Sequence, residues 1–169
     1  TLTITFAFYV DTVNPTGSFY NDSGNVISGV KTNASYIIFN ANDDYSGINY
    51  IKYVYENDEE SSYDYGEKLY NEGTYKFYCI DNAGNRSNNY TITIDKSKPH
   101  LIIQNAVAYS DINNPFSVSI EDNNTAYLYY KSPIMSVFNL AVSNKINITE
   151  TMPKGLYYFY AIDNFNNKT

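Results

Sequence analysis

Gly73-Thr-Tyr-Lys-Phe-Tyr-Cys-Ile-Asp-Asn-Ala-Gly-Asn-Arg-Ser87 recurs along the same chain as Gly155-Leu-Tyr-Tyr-Phe-Tyr-Ala-Ile-Asp-Asn-Phe-Asn-Asn-Lys-Thr169. Eight of the fifteen positions are identical, and Arg86/Lys168 and Ser87/Thr169 keep their chemistry. The alternation of Tyr75, Phe77 and Cys79 with their neighbours, answered by Tyr157, Phe159 and Ala161, predicts a strand with one inward face. Asp-Asn-Ala-Gly-Asn then reads as a turn, because Asn, Asp and Gly supply local hydrogen bonds and left-handed backbone. A strand-and-turn written twice predicts two repeated units.

After the first copy the chain continues into Tyr90-Thr-Ile-Thr-Ile-Asp95, an alternating strand. Its match lies at the other end, where Phe6-Ala-Phe-Tyr-Val-Asp11 aligns with Tyr90 to Asp95 and Pro15 follows Asp11 as Pro99 follows Asp95. The expectation is a tandem array read out of frame. Residues 1–11 would match the last strand of a preceding repeat, 12–95 would form one domain, and 96–169 a second without its final strand. Leu2, Ile4, Phe6, Phe8 and Val10 share one face of that opening strand.

Tyr and Phe dominate the composition, with 20 and 9 copies and no Trp, and both favour pleated, half-buried surfaces. Abundant Asn, Tyr, Ile and Lys equally fits an AT-rich genome. The net charge of −7 and a pI near 4.5 repel phosphate, and Lys and Arg are scattered singly, so nucleic acid is excluded as a partner. No apolar run approaches the roughly 18 residues of a membrane span. The single cysteine, Cys79, cannot form an internal disulfide, and Ala161 replaces it in the second copy, so it reads as a small buried apolar residue.

Further strands are expected at Tyr36 to Phe39, Ile48 to Tyr55, Phe116 to Ile120, Ala126 to Lys131, Met135 to Val142, Lys145 to Thr149 and Leu156 to Ile162. Turn-rich clusters separate them, and Glu56 to Ser62 is one of these. About seven short strands per unit is the pattern of a β-sandwich, and a Tyr two residues after Gly at the start of a late strand fits a tyrosine corner. The fold class expected is all-β: two tandem immunoglobulin-like sandwiches.

The string Gly-x-Tyr-x-Phe-x-x-x-Asp-Asn-Ala-Gly-Asn-x-Ser, followed by Thr-Ile-Thr-Ile-Asp-Lys-Ser-x-Pro, resembles the end of a prokaryotic immunoglobulin-like repeat. Asp43-Asp-Tyr-Ser-Gly-Ile48 is similar to the acidic, glycine-containing turn of such repeats, which in the second unit has drifted to Glu121-Asp-Asn-Asn-Thr125. The resemblance spans the chain and implies large cell-surface adhesins, stalk proteins or surface-layer proteins. It says almost nothing of a ligand.

No catalytic constellation is legible. His100 follows Pro99 at the junction between units, and pairing it with Cys79 would need a strand-interior thiol to meet a linker imidazole. The carboxylate pairs Asp43/Asp44, Glu59/Glu60 and Glu121/Asp122 fall in predicted turns and lack the cleft a glycosidase needs. The expectation is no enzyme and no cofactor, with calcium the one candidate ion. Calcium would take oxygen ligands from Asp11, Asp81, Asp95 and Asp163 near the junctions, with Asn82, Asn85, Asn164 and Asn167 in the same loops. The competing reading is that these Asp and Asn side chains cap their own turns. Asn-x-Ser/Thr occurs at Asn21, Asn33, Asn85, Asn89, Asn123, Asn147 and Asn167, which would mark an exported protein if the source glycosylates. Tyr45, Tyr63, Tyr65 and Tyr70 are candidate ligand contacts, since Tyr offers large area at little entropic cost.

The function expected is a non-enzymatic extracellular spacer and adhesion module. Its partners would be other repeats, neighbouring copies of itself, or surface glycans and proteins. One alternative is a head-to-tail filament, with Leu2 to Val10 donated as a strand to the next molecule. The other is a carbohydrate-binding module.

Overall fold

Strands supply almost all the regular structure. The computed structural model describes residue 5, residues 8–105 and residues 115–169, divided into two units, Thr1–Asp95 and Lys96–Thr169. The first unit holds β1 (Thr16–Asn21), β2 (Lys31–Thr32), β3 (Ile37–Asn42), β4 (Ile48–Tyr55), β5 (Ser61–Tyr63), β6 (Gly73–Asp81) and β7 (Tyr90–Ile94). The second holds β8 (His100–Gln104), β9 (Phe116–Glu121), β10 (Ala126–Lys131), β11 (Asn139–Leu140), β12 (Lys145–Ile148) and β13 (Tyr158–Asp163), with one 3-10 turn at Val142–Asn144. The protein is all-β with several open sheets, an arrangement consistent with a β-sandwich.

In the first unit β1 and β3 pair antiparallel, and the larger sheet runs β2-β7-β6-β4-β5. The register is set by which residues must be inside. Ile51 pairs with Cys79, Tyr53 with Phe77 and Tyr75 with Ile92, which keeps the apolar set on one face. That face meets the smaller sheet through aromatic rings. Phe39 stacks on Phe77 at 4.6 Å, and Phe19 meets Phe77 edge-on at 5.5 Å. Phe39 and Phe77 are fully buried, so truncating either would cost about 3–5 kcal/mol.

The glycine that opens each repeated stretch is required by its backbone. Gly73 has φ +131° and Gly155 φ +140°, values that side-chain-bearing residues rarely adopt. A Cβ on Gly73 would lie 2.5 Å from Glu56 Oε1, and one on Gly155 would lie 2.7 Å from Pro133. Two residues on, the Tyr75 hydroxyl donates to the Asn71 carbonyl at 3.2 Å, and the Tyr157 hydroxyl donates to the Pro153 carbonyl at 2.7 Å. Each tyrosine thus reaches back four residues, pinning the loop to the strand that follows.

The second unit has two three-stranded sheets, β11-β10-β13 and β12-β9-β8. Its core of Val118, Leu128 and Ala141 is thinner, because large residues that are buried in the first unit have half-buried or smaller counterparts. Phe159 is half-buried where Phe77 is enclosed, and Ala161 stands for Cys79.

Some expected strands differ. Met135 to Val142 contributes only Asn139–Leu140 to a sheet, and Ile134, Val137 and Val142 face solvent. The Met135 amide donates to the Ser132 carbonyl at 3.1 Å, so the chain turns immediately after β10 instead of extending. Glu56 to Ser62 holds the start of β5, and His100 opens β8 where a linker was expected. Of the opening strand, Leu2, Ile4 and Phe6 lie outside the described residues. Phe8 and Val10 are 85% and 84% exposed and belong to no strand.

Candidate functional site

The repeated Asp-Asn turn is built by its own side chains. Asp81, at the end of β6, accepts the Asn85 amide on Oδ1 at 2.8 Å and the Asn85 side-chain amide on Oδ2 at 2.8 Å. Asp163 does the same with Asn167, at 2.8 and 2.9 Å. The Asp81 and Asp163 amides close each loop on the carbonyl of that Asn, both at 3.1 Å. The basic residue after the turn then lies over a tyrosine, Arg86 over Tyr78 at 3.9 Å and Lys168 over Tyr160 at 3.7 Å. Asp81 and Asp163 are almost fully buried, and these bonds are how a charged group is accommodated there.

In the first unit two further carboxylates join this turn. Between β3 and β4, Asp43 Oδ1 accepts the amides of Tyr45, Ser46 and Gly47 at 3.1, 2.8 and 2.9 Å. Gly47, at φ +78°, provides the left-handed position that closes this tight loop. The Ser46 hydroxyl donates to Asp11 Oδ2 at 2.6 Å, and the Asn85 side-chain amide also donates to the Asp11 carbonyl at 3.2 Å. The Ser46 hydroxyl, followed by the Val13 amide, holds the Asp11 carboxyl below its ordinary pKa.

One carboxylate oxygen from each of Asp11, Asp43 and Asp81 lies within 4.8 Å of the others. The second oxygen of Asp43, Oδ2, exposes less than 1 Å² and meets no donor. The donor set is all oxygen, with three formal negative charges, and suits a hard cation.

The sequence named Asp11 and Asp81 for such a role, and the structure brings them together. Asp95 and Asp163 are not in the group; Asp95 is buried elsewhere in the first unit, and Asp163 belongs to the second. Asp43 was legible only as part of an acidic turn. Nothing local ties it to Asp11 and Asp81, because the contact depends on how β3, β4 and β6 pack.

The tyrosines separate into two classes. Tyr63 is a core residue at 5% exposure, which removes it from the expected ligand contacts. Its hydroxyl accepts the Phe39 amide at 2.9 Å and donates to the Glu67 carbonyl at 2.6 Å. Tyr45, Tyr65 and Tyr70 are exposed, and Tyr70 packs against Tyr36 with ring centres 5.4 Å apart. Tyr70 also borders a cleft of about 330 Å³ walled by Tyr53, Tyr55 and Tyr75 and edged by Asp58, Glu59 and Glu67. Of the expected contacts, Tyr45 and Tyr65 lie outside it.

Cys79 is fully buried in the first unit, while His100 is exposed in the second. No protein-family model matches the chain, and no curated protein shows significant similarity to it.

Proposed function

We propose that this chain is a non-enzymatic structural and adhesion module of a cell-surface protein, made of two tandem immunoglobulin-like β-sandwich domains that act as spacer and contact surface. The observation that carries this reading is the duplicated corner. In both units a positive-φ glycine, a tyrosine bonded four residues back and an Asp-Asn turn recur with the same hydrogen bonds. The polar residues shared by the two copies are occupied in holding the fold. Side chains free to meet a partner, such as Tyr45 and Tyr65, lie outside the repeated stretch. Two experiments test the reading. Antibodies to the chain should label intact source cells, and labelling only after permeabilisation would refute a surface role. Single-molecule pulling should give two separate unfolding events, each lengthening the chain by at most roughly 30 nm; a single low-force event would remove the spacer role.

A second reading, a head-to-tail filament, is favoured by one contrast. β6 lies between β4 and β7, whereas among the described residues its counterpart β13 is the outer strand of its sheet. A strand from a neighbouring copy, supplied by residues 2–10, would add to that edge. Deleting residues 1–10 would then abolish assembly while leaving the first unit folded. A monomer at high concentration with the segment intact would refute it.

A further inference from the structure

We propose that the tyrosine-walled cleft of the first unit binds a basic side chain, lysine or arginine, presented by a partner protein. This holds wherever the protein works. The cleft forms between β4, the turn that follows it and the stretch that returns from β5 towards β6. Alternation along β4 brings Tyr53 and Tyr55 to one side, and Tyr70 and Tyr75 complete the aromatic wall. The wall is held in place by its own hydroxyls. The Tyr55 hydroxyl donates to the Glu72 carbonyl at 2.5 Å, and the Tyr75 hydroxyl donates to the Asn71 carbonyl at 3.2 Å. The Tyr63 hydroxyl fixes the Glu67 carbonyl, and Leu69 is bonded to Ile37 through both backbone groups. A ligand would therefore enter a cavity whose backbone is already ordered, which lowers the cost of binding.

Charge and size select the ligand. Asp58, Glu59 and Glu67 border the cleft, and Lys68 is the one basic group among the described residues that line it. Three carboxylates against one ammonium leave the rim with a formal charge of −2. The Lys68 ammonium is itself held over the ring of Tyr36, 4.5 Å from its centre, an attraction the cleft would repeat on a ligand. The negative field reaches the wall, since the Glu67 charge adds to burial in raising the Tyr53 phenol above its ordinary pKa. Tyrosine rings beside carboxylates attract a cation in two ways, through the ring quadrupole and through direct charge, and repel an anion. The volume of about 330 Å³ is at the lower end of ligand pockets, which run from about 300 to 1,000 Å³. It suits one side chain rather than an oligosaccharide.

The test is NMR titration of the isotope-labelled full chain with capped glycine peptides that carry one central lysine, arginine, leucine or glutamate, and separately with a neutral oligosaccharide. The expected result is saturable shifts at Tyr53, Glu67 and Tyr70 with the lysine and arginine peptides only. Their Kd should be on the order of 1–10 mM, as suits a ligand of so few atoms. E59Q and E67Q should each weaken that binding roughly two- to fivefold. Added salt should weaken it in the wild type, because exposed charges are screened over about 10 Å at 0.1 M. Y70L should cost a similar factor through the lost ring. All three positions are exposed, so the variants should stay folded, and any that does not leaves the other two to decide. E121Q, in the second unit, should change nothing. Absence of saturable shifts at about 50 mM basic peptide would overturn the proposal. So would equal binding of the leucine or glutamate peptide, oligosaccharide binding as tight as that of the lysine peptide, or unchanged affinity in E59Q, E67Q and Y70L.

Discussion

Replacing Tyr63 by Phe removes one oxygen that serves two strands of different sheets. β3 uses one edge for β1, and along its other edge Ile37 exchanges both backbone hydrogen bonds with Leu69 at 3.0 Å. The next amide on that edge belongs to Phe39, a fully buried residue, and its acceptor is the Tyr63 hydroxyl from β5. The same hydroxyl donates to the Glu67 carbonyl, so Tyr63 closes the open side between β3 and β5. Tyr63→Phe leaves the ring packing of this site in place but strands a buried amide. The orphaned amide costs about 1–3 kcal/mol, and the lost bond to Glu67 adds about 1 kcal/mol. The expected loss is therefore about 2–4 kcal/mol, a large fraction of the stability of so small a domain.

Urea unfolding followed by circular dichroism and tyrosine fluorescence measures it. With a slope of about 1–2 kcal/mol/M, the first-unit midpoint should fall by roughly 1–4 M while the slope holds. Tyr65→Phe, at an exposed position two residues along, should stay within about 0.5 kcal/mol of wild type. A Tyr63→Phe midpoint indistinguishable from that of Tyr65→Phe would refute the account of β3 closure and return Tyr63 to the candidate ligand contacts.

Two further outcomes follow from buried titratable groups. Burial pushes the Tyr63 and Tyr75 hydroxyls up to about 12 from an ordinary value of 10. Below pH 10 both phenols are neutral whether folded or unfolded, so stability is complete; between 10 and 12 only the unfolded chain ionises, and stability falls as pH rises. Alkaline melts should show the first unit losing stability through this window, with the loss reduced in Tyr63→Phe once its lower starting stability is subtracted. Burial likewise pushes the Cys79 thiol up, so a thiol reagent should label the chain only at the rate at which the first unit opens. Fast labelling of native protein at neutral pH would contradict the packing described.

Alternation of large apolar residues located β4 and β6, but it misled at Phe8 to Val10, which belong to no strand. Ile48 to Tyr55 folds as β4 with those limits, and Gly73 to Ile80 falls within β6. It failed where the driving contacts are backbone or long-range. β1 is Thr-Gly-Ser-Phe-Tyr-Asn, a polar string whose only fully enclosed side chain is Phe19, and it is a strand because β3 offers it an edge. Met135 to Val142 failed in the opposite sense, since only Asn139–Leu140 pairs into a sheet and Val137 and Val142 stay exposed. At the site, the turn-capping role of Asp81 and Asp163 could be read from Asp-Asn-x-x-Asn spacing. The meeting of Asp11, Asp43 and Asp81 could not, because it depends on the register of β4 against β6, which includes a shift between Ile48 and Tyr50.

The second unit provides a comparison that substitution experiments seldom offer. Its Asn164 amide bonds to the Thr125 carbonyl at 2.9 Å, as the Asn82 amide bonds to the Gly47 carbonyl at 2.9 Å. The two loops are therefore bridged in the same way, although Thr125 stands where Gly47 does and Glu121 stands in place of Asp43. Glu121 is exposed and makes none of Asp43's three amide contacts. Yet the Asp163 turn keeps the Asp-to-Asn hydrogen bonds that close the Asp81 turn. In the Glu121 loop Asp122, the residue directly after β9, caps instead, its Oδ1 accepting the Asn124 amide at 2.6 Å. In the first unit Asp43 caps its own loop through Oδ1, which accepts three amides. An acidic cap on the loop facing the Asp-Asn turn is therefore part of the fold of both corners.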